Sequence, residues 1–108
     1  MLGSASMSDD RSPLEVEILA EQVRALTRAT ELLEESLRQL EQFDALPAWP
    51  RHSPRARVQL LDETRRLLWN LVVQREAMGI VHHQMLYEVL SIPPEVSAPM
   101  GGWAGPLE

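Results

Sequence analysis

The sequence predicts an all-α fold: an antiparallel hairpin of two long helices that pairs with a second copy into a four-helix bundle. Three observations predict it. Proline falls in three places only: Pro13, the group Pro47, Pro50 and Pro54, and the tail Pro93, Pro94, Pro99 and Pro106. Proline starts helices and marks turns but breaks helix interiors, so the two long stretches between these places read as helices. Both stretches carry apolar residues at spacings of three and four. Leu and Glu, good helix formers, dominate the chain, and only 5% of it is aromatic, less than a β-sandwich or barrel draws on.

The first 12 residues are small and polar and read as a disordered tail, with no secretory leader. Ser12-Pro13-Leu14-Glu15 then forms a capping box with proline at the first helical position. The helix that follows, about 13–45, carries the stripe Val16, Leu19, Val23, Leu26, Thr30, Leu33, Leu37, Leu40. A second stripe beside it holds Ile18, Ala25, Ala29, Leu32 and Ser36, so the apolar face is wider than a two-stranded seam. Residues 46–53 form a proline-rich connector with Trp49 near its centre. Ser53-Pro54 repeats the cap-and-proline start, and a second helix is expected over about 54–90. Its seam reads Leu60, Thr64, Leu67, Leu71, Gln74, Met78, Val81, Met85. Gly79, inside that span, suggests a kink or close approach by another helix. The domain is then the hairpin 13–92, followed by a tail, 93–108, read as extended or disordered, in which Trp103 is a candidate anchor onto the bundle.

Leu67 to Val73 is apolar almost all round, and a single partner helix covers only one side. That excess predicts a homodimer contacting through Leu68, Trp69, Val72 and Val73, with another protein as the other partner able to cover the face. No segment is long and apolar enough to span a membrane, and a cytoplasmic location is expected. The absence of cysteine excludes disulfides, thiolate metal sites and a cysteine nucleophile.

Gln74, Arg75 and Glu76 interrupt the apolar helix. With Glu21 they read as a register-setting cluster, Arg75 pairing with Glu21 across the hairpin and Gln74 bonding a neighbouring chain. The alternative is a small-ligand or metal pocket formed by Gln74, Arg75, Glu76 and His83, with Tyr87 on the same face. Against a metal centre, the chain has neither the Glu-x-x-His spacing of di-iron bundles nor HExxH. Arg51, Arg55, Arg57, Arg65 and Arg66 gather near the start of the second helix as a possible anion patch. Residues 51–66 hold five arginines and two acids, but the whole chain has a net charge of −6, which argues against nucleic acid as a partner. All ten basic residues are arginine, a bias that suggests a GC-rich bacterial source. No glycine-rich phosphate loop, GxSxG or activated nucleophile is present, so no catalytic residue, cofactor or metal is assigned and no enzyme is expected.

The block from Trp69 to Gly79 (Trp, then Gln-Arg-Glu, then Gly three residues on), followed by Ile92-Pro93-Pro94-Glu95-Val96 and Met100-Gly101, resembles a family of short bacterial all-helical proteins of unknown function. Glu17-Ile18-Leu19-Ala20-Glu21 is similar to that family's first-helix block. The resemblance covers most of residues 14–101 and implies a fold but no activity. This chain departs from the pattern at His82-His83, where Asp-His is expected, and at Leu90-Ser91, where Tyr-Gly is expected. The functional expectation is a non-enzymatic interaction or structural subunit that self-associates through its apolar helix faces.

Overall fold

The computed structural model describes residues 12–47 and 53–98. Trp49, Arg51 and Trp103, the tail before Ser12 and the segment after Ala98 lie outside the described residues. Three helices follow in order: α1 (Pro13–Asp44), α2 (Pro54–Ala77) and α3 (Gln84–Val89). A further helical turn occupies 94–98, and the described residues contain no strand.

Both long helices start where the cap residues place them. The Ser12 hydroxyl accepts from the Glu15 amide at 3.1 Å, and the Glu15 carboxylate accepts from the Ser12 amide at 2.9 Å, completing the capping box. Ser53 caps α2 by accepting from the Ala56 amide at 3.3 Å. The helices then pack antiparallel. Ser36 of α1 and Thr64 of α2 meet in the core through a hydroxyl–hydroxyl hydrogen bond of 2.6 Å, and Thr64 also donates to the Leu60 carbonyl at 2.8 Å. These two short polar side chains fix the register. Around them Ala29, Leu33 and Leu40 pack against Leu61, Leu67, Leu68 and Leu71.

The second helix is not continuous to residue 90. It ends at Ala77, because Gly79 takes a left-handed conformation (φ 88°) just past the cap. The Gly79 amide bonds the Glu76 carbonyl at 3.0 Å and the Ile80 amide bonds the Arg75 carbonyl at 2.9 Å. This is a Schellman ending, which favours glycine at that position. Gly79 is not a close-approach site, since no neighbouring atom would meet an added Cβ within 4 Å. The seam expected beyond the break therefore leaves the core: Val81 and Met85 are exposed.

The chain instead turns back. Short α3 and the turn at 94–98 lie over the groove between α1 and α2. Leu86, Tyr87, Leu90 and Ile92 pack on the core, and Val96 is fully buried within it. The reading of residues from 93 on as extended is thus corrected as far as Ala98. Pro94 begins the helical turn, and the Pro93 carbonyl accepts from the Val96 amide at 2.9 Å. This third segment also changes the expected dimer contact. Leu68 and Val72 are fully buried inside one chain, so they are not available to a second copy, whereas Trp69 and Val73 remain more than a third exposed.

Candidate functional site

The polar residues picked out in the second helix assemble at the corner between α2 and α3. The Schellman turn brings His83, the residue capping α3, back beside the last turn of α2. There Arg75 donates from Nε to His83 Nδ1 at 3.1 Å and from its terminal nitrogen to the His82 carbonyl at 3.1 Å. His83 Nε2 lies 3.1 Å from a Glu76 carboxylate oxygen. Because arginine can only donate, Nδ1 is the acceptor and Nε2 carries the proton toward Glu76. His83 is buried, while Glu76 is partly exposed. Tyr87 lies one turn beyond His83. Burial, and then the negative charge of Glu76, raise its phenol above the ordinary value of 10.0.

This arrangement has definite chemical consequences. Both imidazole nitrogens are engaged by protein groups, so neither is left for a metal or a substrate proton. The cluster instead ties two pieces of backbone together: the end of α2 and residues 82–83, where α3 begins. A cation in the last turn of α2 also complements the helix dipole. Among the described residues no three His, Cys, Asp or Glu side chains converge as a metal site.

Two members of the expected cluster stand apart. Glu21 lies on the exposed surface of α1 and pairs loosely with Arg24 at 3.8 Å, so the Arg75–Glu21 pair does not form. Arg75 stays on its own side of the hairpin because His83 and the His82 carbonyl offer nearer acceptors. Gln74 is half-buried and outside the Arg75–His83–Glu76 set.

The arginines of the possible anion patch are largely engaged by acids of the same chain. Arg57 grips Asp44 through two bonds, 2.7 and 2.9 Å, and reaches Glu95 with the same guanidinium. Those two carboxylates push its pKa further above the ordinary arginine range. Arg66 pairs with Glu63 at 2.6 Å. Arg65 bonds Asp62 at 3.3 Å and the Glu95 carbonyl at 3.0 Å. Only Arg55 has no ion pair among the described residues. The patch is therefore a knot joining the end of α1, the start of α2 and the 94–98 turn. Asp44 could have been paired with Arg57 from the sequence, because a hairpin folded near residue 50 places them opposite. Glu95 could not, because its surroundings in the sequence, with proline and glycine and no periodicity, read as extended or disordered.

A concave feature that no sequence motif marks lies at the other end of α3. An open groove of about 540 Å³ runs between the C-terminal half of α1 and the α3 segment. Leu37, Leu40, Val89 and Leu90 form its apolar surface, and Glu34 and Glu41 stand on its α1 wall.

No described helix is long and apolar enough to cross a membrane. No curated protein and no solved structure matches the chain. The family models do: residues 5–106 match DUF6665, a family of unknown function, and the chain belongs to that family.

Proposed function

We propose that this chain is a non-catalytic interaction subunit that associates with itself through the apolar side chains of α1 that α2 leaves uncovered. One observation carries the reading. With Ser36 opposite Thr64, the end of α2 at Ala77 falls level with Val23 of α1. Residues 13–22 therefore project past their partner by about 15 Å. Apolar side chains continue past the partner's end on two sides of α1: Leu14 and Ile18 are 64% and 51% exposed, and Val16 and Val23, roughly opposite them, are 52% and 48% exposed. A helix end seldom leaves apolar side chains exposed on both sides unless something covers them.

The assembly that follows is a homodimer of hairpins, four long helices in all, joined through their α1 segments rather than through Leu68 and Val72. The alternative, a small-ligand or metal pocket at Gln74, Arg75, Glu76 and His83, needs a free imidazole nitrogen. The bonding of His83 supports a structural corner instead.

Sedimentation velocity of the full chain over a wide concentration range tests the proposal. The wild type is expected to reach twice the single-chain mass. The double variant Val16→Glu/Val23→Glu changes only exposed positions and is expected to stay a folded single chain. Full burial of a valine contributes about 1.5 kcal/mol or more, so losing two such contacts weakens a dimer at least tenfold. A wild type that sediments as one chain at every concentration overturns the reading.

A further inference from the structure

We infer that the groove between α1 and α3 is a docking site for a basic amphipathic segment of a partner protein. The inference is independent of self-association, because the groove lies on the half of α1 away from the projecting tip.

Its surface has two chemistries in a fixed order. The floor is apolar, made by Leu37 and Leu40 of α1 and by Val89 and Leu90 at the end of α3. Val89 is 72% exposed, the second most exposed large apolar side chain among the described residues. The walls are acidic: four carboxylates line the groove against the single guanidinium of Arg38, which is itself engaged by Glu35. Two of the four, Asp44 and Glu95, are held by Arg57. The other two, Glu34 and Glu41, have no ion pair among the described residues. They stand seven residues apart on one side of α1, with Leu37 between them, a separation of about 10.5 Å along the helix.

That pattern specifies the occupant. It needs an apolar ridge to cover Leu37 and Val89, and it needs cations about 10.5 Å apart to meet Glu34 and Glu41. A helix with arginine or lysine seven residues apart beside an apolar stripe supplies both. The groove is open and extends about three turns along α1, which suits a chain segment better than a small molecule. The chain's own segment after Ala98 does not meet the requirement, because it contains apolar residues but no basic one. Nucleic acid and anionic membrane surfaces are repelled by the same carboxylates.

Fluorescence anisotropy of the full chain with a labelled helix-forming peptide of leucine and arginine, the arginines seven apart, tests the inference. The same peptide with glutamate in place of arginine is the control. The wild type is expected to bind the arginine peptide, more weakly as salt rises, and not the glutamate peptide. Glu34→Lys/Glu41→Lys is expected to weaken binding about tenfold, and Val89→Gln by several-fold. Glu17→Lys/Glu21→Lys makes the same change in net charge at the projecting tip of α1 and is expected to leave affinity within about twofold. If the half-buried Glu34 does not tolerate lysine, Glu41→Lys alone, at an exposed position, carries the test with a loss of about threefold. Equal losses in the two double variants, binding of the glutamate peptide, or no binding by the wild type would each overturn the inference.

Discussion

Ser91 holds a backbone conformation (φ 52°) that a side chain disfavours by about 1–2 kcal/mol. It does so because α3 ends as α2 does. The Ser91 amide bonds the Glu88 carbonyl at 3.2 Å and the Ile92 amide bonds the Tyr87 carbonyl at 3.0 Å, a second Schellman turn with serine where glycine is preferred. Ser91→Gly is therefore expected to stabilise the fold by about 0.5–1 kcal/mol. Gly79→Ala is expected to cost about 1 kcal/mol from backbone strain alone, since there is open space around that position. Urea unfolding followed by circular dichroism measures both, and a stabilising Gly79→Ala would contradict the turn geometry. The buried Ser36–Thr64 pair makes a different prediction. Thr64→Val keeps the shape but leaves the Ser36 hydroxyl buried without its partner, at a cost of about 1–3 kcal/mol. Adding Ser36→Ala removes the orphaned hydroxyl, so the double variant is expected to recover part of that loss. Strict additivity of the two single changes would show that the hydroxyls do not interact.

The helices were legible in the sequence because their signals are local. Ser12, Pro13 and Glu15 define the start of α1 whatever surrounds it, and the spacing from Leu60 to Leu71 defines the inner side of α2. The break after Ala77 was less legible, because a glycine within a continuing apolar pattern fits both a kinked helix and a terminated one. What decides is whether the following residues find a better place. Here they do, since Val96 joins the buried core and Leu86 and Leu90 pack against it, a tertiary gain that no local rule contains. The same reasoning explains the site. On one straight helix Arg75 and Glu76 read with Gln74 as a register cluster directed to Glu21, and His83 joins them only in the alternative ligand pocket. Only the turn at Gly79 brings His83 round to Arg75. Tyr87 reports on this corner in solution. Its phenol is raised above the ordinary value, so the folded chain holds that proton more tightly than the unfolded chain does. Stability is then intact below pH 10.0 and falls as pH rises through the folded pKa. The chain has one tyrosine, no lysine and no cysteine, so no other side chain loses a proton in that window before arginine. Melting temperature across an alkaline series is expected to decline for the wild type and to stay flatter for Tyr87→Phe. Parallel declines would place Tyr87 in an environment like that of the unfolded chain.

At the scale of the whole molecule, the third segment resolves one imbalance and leaves another. The sequence holds more apolar helix surface than two rods can shield. The chain answers this at the centre of the hairpin, where α3 and the 94–98 turn cover α2 and Arg57 fastens that turn through Glu95. At the free end of α1 nothing described supplies the same cover, and Leu14, Val16, Ile18 and Val23 stay exposed. A helix end held by its cap but packed on nothing is marginal, since most helical stability in proteins comes from a buried face. Self-association would then do two things at once: remove apolar side chains of this end from water and order the projecting turns. Mass action makes this measurable without knowing the geometry of the assembly, because a species that binds only the folded state raises stability with its concentration. The melting temperature of the wild type is expected to rise as the protein is concentrated. That of Val16→Glu/Val23→Glu is expected to remain at the dilute wild-type value throughout, because its hairpin core is untouched. A melting temperature independent of concentration in both proteins would mean that the tip of α1 is not where copies of this chain meet.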